Sequence, residues 1–200
     1  MVEEEIEITV EVFDEMDIIK NKLQEAGLNF TKTFTLHDIY FKNKDTNRFF
    51  INDGHISDVL IIRRSDDGTK LIICKQRHYD DSGFEIGTTK TKISFDKFDE
   101  AKSFLNSLGF EEYLEMIDEH LKFENDNYRV FIQQVKELGV FLEVEATDLA
   151  GQTSVQDLIT FVKNLGLKIG DNFNVRKADM LYAKKNYQKV QVKLKIPAQL

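Results

Sequence analysis

Two pairs of glutamates stand out, because within each pair a single apolar residue separates the two acids. Glu5 and Glu7 form one pair, and Glu143 and Glu145 form the other. On a β-strand, residues i and i+2 point to the same face, so both carboxylates of a pair share one side of a sheet. Four converging carboxylates repel one another unless a cation lies among them, and hard oxygen ligands suit Mg²⁺ or Mn²⁺. The pattern predicts a divalent-metal site or, alternatively, two acidic strand faces turned to solvent.

Two basic residues lie in apolar runs with strand character. Arg63 ends the run that begins at Val59, and Lys75 follows the run that begins at Leu71. If these side chains point inward with the glutamates, they can hold phosphate oxygens, arginine through a bidentate fork and lysine as a point charge. The alternative interpretation is that both are solvated ends of strands.

The elements that must position these residues follow from hydrophobic periodicity. Helices are predicted near 13–26, 97–108, 154–165 and 176–186, with Ser154 as an N-cap. Strands are predicted near 3–11, 36–42, 47–51, 57–65, 70–78, 85–95, 113–123, 127–135 and 140–147. This strand content does not suit parallel βαβ crossovers. We therefore expect an α+β fold, a closed and mostly antiparallel eight-stranded β-barrel with amphipathic helices packed outside.

Composition limits the class of protein. A chain of 200 residues suggests one domain over 1–200, best supported over 3–147 and followed by C-terminal helices and a tail over 154–200. The net charge of −8 and the lack of a basic stripe argue against a nucleic-acid partner. The apolar runs are too short to span a membrane. The acidic N-terminus and the single cysteine, Cys74, lead us to expect a cytoplasmic protein.

The order of these landmarks resembles the CYTH superfamily, which groups class IV adenylate cyclases with thiamine triphosphatases and inorganic triphosphatases. Residues 38–41 resemble the D-x-Y-F strand of that family, and residues 60–63 resemble its L-R-I-R strand. Residues 133–145 resemble the segment D-x-V-x-x-L-G-x-F-x-E-I-E without a gap. The last of these matches is the most specific.

The resemblance implies a barrel that forms a tunnel for a triphosphate. It assigns Glu5, Glu7, Glu143 and Glu145 as ligands of Mg²⁺ or Mn²⁺, and Arg63 and Lys75 as binders of phosphate. The implied reaction is hydrolysis of a nucleoside, thiamine or inorganic triphosphate, or adenylate cyclisation, so the implied partner is a small phosphorylated ligand. The resemblance is also compatible with a homodimer.

Several family positions have changed. Thr9 replaces a lysine, Ile61 replaces an arginine, Asp118 and His120 replace a K-x-R pair, and Gln133 replaces an aspartate. Each lost charge-assisted hydrogen bond to phosphate costs about 1.5–3 kcal/mol. The losses favour an alternative in which the barrel is not catalytic and binds an anionic metabolite or a protein partner.

Two positions have changed in the opposite sense, from acidic to basic. Lys90 and Lys92 stand where the family has glutamates. If Thr88, Lys90 and Lys92 face the lumen, they restore positive charge in a partial charge swap with Asp118. A slip of one residue in register would turn both lysines outward. His120 is a candidate general base or, alternatively, a buried structural histidine.

Overall fold

The computed structural model describes residues 2–43, 58–79, 81, 85–147 and 153–194. The strands are β1 Val2–Glu5, β2 Glu7–Val12, β3 Asn29–Asn43, β4 Asp58–Ser65, β5 Lys70–Tyr79, β6 Glu85–Ser94, β7 Phe110–Glu124, β8 Tyr128–Val135 and β9 Gly139–Ala146. The helices are α1 Met16–Glu25, α2 Phe98–Ser107, α3 Val155–Asn164 and α4 Lys177–Leu194. The strand predicted at 47–51 lies outside the described residues. The predicted α+β class is confirmed.

The strands form one antiparallel sheet in the order β1-β6-β5-β4-β3-β7-β8-β9-β2. The predicted first strand is two segments, β1 and β2, which are separated only by Ile6 yet pair at opposite ends of this order. Glu7 of β2 nevertheless lies 3.0 Å from Lys90 of β6 and 3.9 Å from Lys75 of β5. The sheet therefore curls until side chains from its two ends meet.

The longest strands, β3 and β7, pair with each other along most of their length, from Asn29 opposite Glu124 to Asn43 opposite Phe110. The prediction for β3 began only at residue 36, because residues 29–33 are exposed on both faces and show no apolar alternation. These two strands form the middle of the sheet order, from which both halves curl.

Helices α1 and α3 cover the outer face of the sheet near β2 and β9. The apolar stripe of α1 buries Ile19 and Leu23, and that of α3 buries Leu158 and Val162. The strand residues in the same core are Ile8, Val10, Val12, Val130, Ile132, Leu142 and Val144. Ser154 caps α3 as predicted, since its hydroxyl oxygen accepts a hydrogen bond from the Asp157 amide at 3.2 Å.

Helix α2 covers the outer face of the other half. Ala101 and Leu105 pack against Ile39, Phe41 and Ile62. The prediction of helices outside the sheet therefore holds for α1, α2 and α3. Among the described residues, no helix has the length and apolar character needed to cross a membrane.

Helix α4 departs from that prediction, because its first turns pack against the inner face of the curled sheet. Ala178 and Leu181 are buried in a core with Tyr40, Ile73 and Phe141. Tyr40 and Ile73 also line the cavity described below, which places this core on the concave side. The cause is that β3, β4, β5, β7 and β9 present apolar side chains on the concave surface. At one end of that surface, α4 removes these side chains from water.

Candidate functional site

The concave face of the sheet encloses a cavity of about 330 Å³. This volume is at the lower end of the usual range for small-ligand sites, roughly 300–1,000 Å³. Inward residues of β2 to β9 form its walls, and residues 174–178, which lead into α4 and begin it, form part of its lining. Every predicted site residue whose side chain the structure describes lines this cavity.

Three glutamates converge on one wall of the cavity. Glu7, Glu143 and Glu145 each offer a carboxylate oxygen, and these three oxygens lie within 4.8 Å of one another. Glu7 of β2 lies opposite Glu145 of β9 in the sheet register, which explains why the two sequence-distant pairs meet. Glu5 lies on β1 opposite Thr88, and the structure does not describe its side chain. Its role as a ligand stays a prediction.

The chemistry of this acidic trio (Glu7, Glu143 and Glu145) fits a hard divalent cation. Carboxylate oxygens are the ligands that Mg²⁺ and Mn²⁺ prefer, and the three side chains are only 17%, 18% and 15% exposed. Three carboxylates so close together stay ionised only when positive charge lies nearby.

The chain itself supplies that positive charge. Lys90 Nζ donates a hydrogen bond to Glu7 Oε2 at 3.0 Å, and Lys177 Nζ donates to Glu143 Oε2 at 3.2 Å. Arg129 donates to Glu145 at 3.0 Å. Each member of the acidic trio is therefore paired with a cation from another element.

These pairs shift the ionisation of the site. Burial raises the pKa of Glu143, but the charges of Lys177, Lys75 and Lys90 outweigh it, so this pKa falls well below its ordinary value. Burial, together with the nearby charge of Lys90, lowers the pKa of Lys75 to about 8. Glu143 therefore stays ionised near neutral pH, and the pKa of Lys75 lies nearer to neutrality than that of an ordinary lysine.

Arg63 lines the cavity as predicted, but its guanidinium already makes a bidentate pair with Asp38. Its Nε donates to Asp38 Oδ1 at 2.7 Å, and its Nη2 donates to Asp38 Oδ2 at 2.6 Å. Asp38 is fully buried, and its charge helps to raise the pKa of Arg63 far above the ordinary value, against the opposing effect of burial. Arg63 is placed to contact a ligand only through the part of its guanidinium that Asp38 leaves uncovered.

The register expected for β6 is confirmed. Thr88, Lys90 and Lys92 all line the cavity, and Lys90 is 7% exposed. The predicted charge swap has different partners, however, because Lys90 pairs with Glu7 and Asp118 pairs with His120. The reason is the curl of the sheet, which brings Glu7 of β2 to 3.0 Å from the Lys90 ammonium.

His120 is held by Asp118 on the cavity wall. His120 Nε2 lies 2.7 Å from Asp118 Oδ2, and the imidazole stacks on Phe34 with a centroid distance of 4.9 Å. Burial raises the pKa of Asp118, but the hydrogen bond and charge of His120 more than offset it, so the pKa lies below its ordinary value. This environment matches the alternative of a buried structural histidine. A general-base role stays a prediction.

Sequence reasoning missed Lys177, the first residue of α4. Its Nζ donates to Gln133 Oε1 and to Glu143, so it supplies the cavity with a cation next to the position where Gln133 replaces an aspartate. The only sequence signal was the basic pair Arg176-Lys177 at the start of the helix predicted near 176–186. Nothing in the local pattern showed that this helix begins inside the sheet.

Comparison with known proteins gives structural neighbours only. No family model matches the sequence, and no curated protein matches it. The PH1012 protein of Pyrococcus horikoshii OT3 is 18% identical, with a TM-score of 0.69 over 88% of this chain and 98% of that one. A candidate adenylate cyclase from Vibrio parahaemolyticus is 15% identical, with a TM-score of 0.66 over 90% and 97%.

A third neighbour is HpAC1 from Hippeastrum, a candidate adenylyl cyclase with a dominant triphosphatase activity. It is 14% identical, with a TM-score of 0.65 over 90% of this chain and 96% of that one. These neighbours fit the CYTH superfamily. The chain shares the fold of these neighbours, which agrees with the CYTH resemblance of its sequence at the level of the fold.

Proposed function

We propose that the chain is a metal-dependent CYTH-type enzyme that binds a triphosphate in this cavity and hydrolyses or cyclises it. The observation that supports this most strongly is the convergence of the acidic trio with Lys75, Lys90 and Lys177 on one cavity. Carboxylates suit a divalent metal, and lysines suit the phosphate chain that such a metal accompanies. An ordinary acidic surface would not need three lysines that are no more than 21% exposed.

The same proposal includes closure of the sheet into a tunnel. Only Ile6 separates β1 from β2, so the two segments act as one interrupted strand that pairs with β6 on one side and β9 on the other. A ligand in such a tunnel would be shielded from bulk water, which strengthens its electrostatic contacts with the walls.

Glu7, Glu143 and Glu145 would hold the metal, with Glu5 as a fourth ligand. When bound, Mg²⁺ or Mn²⁺ would neutralise negative charge on the phosphate oxygens. Lys75, Lys90 and Lys177 would then leave the carboxylates and donate to the phosphate chain. Arg63, held by Asp38, would present its remaining surface to the same chain, and Lys92 would add a further cation.

Hydrolysis is the reaction to test first, because HpAC1 shares the fold and has a dominant triphosphatase activity. In hydrolysis a water oxygen bonds to the terminal phosphorus, and the bond from that phosphorus to the bridging oxygen breaks. The bridging oxygen leaves with the diphosphate part of the substrate, the water loses a proton to solvent, and the terminal group is released as orthophosphate. Release of pyrophosphate from a nucleoside triphosphate would instead indicate cyclisation or cleavage at the α-phosphate.

The test is release of phosphate and pyrophosphate from inorganic, thiamine and nucleoside triphosphates with Mg²⁺ or Mn²⁺. Glu143→Gln removes a charge from the acidic trio, and Glu111→Gln removes a matched charge from a surface pair with Lys42. We expect release by the wild type and by Glu111→Gln, and at least a 100-fold reduction in Glu143→Gln. No release by folded wild-type protein would contradict the enzymatic proposal.

A second candidate is a non-catalytic barrel that binds an anionic metabolite or a protein partner. The bidentate pair of Arg63 with Asp38 favours it, because the one arginine predicted to bind phosphate already has a carboxylate partner. Triphosphate binding with no release of phosphate or pyrophosphate would support this alternative.

A further inference from the structure

One wall of the cavity is aromatic, and the proposed metal and phosphate sites do not use it. Phe34 of β3, His120 of β7 and Phe131 of β8 form this aromatic wall. Phe34 stacks on His120, and Phe131 meets both rings edge-on, at centroid distances of 6.3 Å from Phe34 and 6.0 Å from His120. The rings are therefore held in a fixed arrangement on three adjacent strands.

Two polar atoms at the aromatic wall, one on His120 and one on the neighbouring Asp118, have unused hydrogen-bonding capacity. His120 is 5% exposed and Asp118 is 2% exposed. Among the described residues, neither His120 Nδ1 nor Asp118 Oδ1 has a hydrogen-bond partner. Because a buried polar atom without a partner destabilises the folded state, these atoms point to a ligand that would supply a complementary group.

The aromatic wall adjoins the charged half of the cavity. Phe131 lies opposite Glu143 in the register of β8 and β9, and His120 lies opposite Gln133, which accepts a hydrogen bond from Lys177. One ligand can therefore contact both halves at once, with its phosphates near the lysines and its remaining part near the rings.

Charge decides which part of the ligand would contact the aromatic wall. The carboxylate of Asp118 lies beside the rings and would repel a phosphate, whereas it would accept a hydrogen bond from a ring nitrogen or an amino group. The outer part of the wall is accessible, because the half-exposed Lys32 ammonium lies 4.7 Å from the Phe34 ring centroid. An aromatic ring can displace such a flexible side chain.

We infer that the aromatic wall binds the nitrogen heterocycle of an organic triphosphate, so that the cavity selects such a ligand over inorganic triphosphate. This inference rests on the proposed function. A nucleobase and the aminopyrimidine of thiamine triphosphate share the required chemistry, a flat ring that carries an N–H donor.

The experiment is titration calorimetry of the full chain with ATP, thiamine triphosphate and inorganic triphosphate, without added divalent metal so that turnover is not expected. We expect at least one of the two organic ligands to bind about tenfold more tightly than inorganic triphosphate, as stacking on an aromatic side chain allows. The organic ligand that binds more tightly shows whether the ring that the aromatic wall prefers is a nucleobase or the aminopyrimidine of thiamine.

Variants separate stacking from a general effect on the fold. Phe34→Leu and Phe131→Leu should lose the preference for the organic ligand and keep their affinity for inorganic triphosphate within twofold. Phe34→Tyr, which keeps a ring, should retain the preference. Phe104→Leu, an exposed phenylalanine on the outer helix α2, is the matched control and should behave as the wild type.

The outcomes distinguish this inference from the proposed function. Equal affinity of the wild type for organic and inorganic triphosphates, or an unchanged preference in both leucine variants, would overturn the aromatic subsite and leave the triphosphate site standing. Failure of folded wild-type protein to bind any triphosphate in this titration, together with no release of phosphate or pyrophosphate in the assay with Mg²⁺ or Mn²⁺, would overturn the proposed function, and the subsite with it.

Discussion

Lys90 Nζ lies 3.0 Å from Glu7 Oε2, and this contact joins β6 near one end of the sheet order to β2 at the other end. Both side chains are largely buried, at 8% and 17% exposure. The ammonium thus holds a carboxylate that the proposed metal would also need. Metal and lysine compete for Glu7, whereas a bound phosphate would give Lys90 another partner.

Replacing Lys90 with glutamine should therefore strengthen metal binding in the absence of phosphate. We expect Lys90→Gln to bind Mn²⁺ about tenfold more tightly, because loss of one charge-assisted hydrogen bond to Glu7 is worth about 1.5 kcal/mol. The same variant should bind triphosphate more weakly. Titration calorimetry with Mn²⁺ measures the first effect. Lys42→Gln, which breaks a surface pair with Glu111, is the control, and equal or weaker Mn²⁺ binding by Lys90→Gln would contradict the competition.

Lys177 should matter for phosphate binding although it lies on a helix. We expect Lys177→Gln to reduce affinity for triphosphate by at least tenfold, since charge-assisted hydrogen bonds are worth about 1.5–3 kcal/mol. Lys184 lies on the same helix, and its ammonium contacts the backbone oxygen of Glu137. Lys184→Gln is therefore the matched control, and a similar loss in both variants would assign the effect to the helix as a whole.

The pair of Asp38 with Arg63 should contribute to stability. Asp38→Asn leaves Arg63 with an uncompensated charge and should lower the free energy of unfolding by about 3 kcal/mol, the lower part of the range for broken buried pairs, because Arg63 is 25% exposed. Urea unfolding measures this change. The double variant Asp38→Leu/Arg63→Met should recover most of the loss. A loss near that of an exposed pair, below about 1 kcal/mol, would show that the pair is well solvated.

Asp118 should make stability depend on pH in the acidic range. Its pKa is below the ordinary value in the folded state, so its ionised form adds stability above the unfolded pKa of about 3.9. This stability is lost as the pH falls through the lower, folded-state pKa.

We therefore expect the free energy of unfolding of the wild type to fall more steeply below about pH 4 than that of Asp118→Asn. Urea unfolding at a series of pH values tests this expectation. Asp96→Asn, at an exposed position, should retain the steep wild-type profile. If the free energy of unfolding depended on pH in the same way for the wild type and Asp118→Asn, Asp118 would not be the cause of the loss of stability in acid.

The sequence predicted those parts of the site that depend on strand alternation. Glu143 and Glu145 share a face, as their spacing required, and Thr88 and Lys90 face the cavity because period two fixes the side of a strand. Ser154 was recognised as an N-cap because its chemistry is local. Each of these predictions needed only a few neighbouring residues.

Partners across the sheet could not be predicted in the same way. The resemblance of residues 38–41 to the D-x-Y-F strand was visible in the sequence. The contact of Asp38 with Arg63, however, depends on the register of β3 and β4. Lys177 reaches Glu143 only because α4 packs on the inner face, which the weak apolar pattern of that helix did not indicate. Ion pairs between distant elements are set by tertiary packing, which overrides local preference.

The pairing of β2 with β9 also has a consequence for synthesis on the ribosome. Ile8 pairs with Val144, and Val12 pairs with Val140, so β2 leaves the exit tunnel long before β9 exists. Until then the apolar side chains of β2 have no native strand beside them, a situation that slows folding and invites contact with chaperones. Completion of the sheet is therefore expected to be a late, post-emergence event, which pulse-labelling of stalled nascent chains would detect.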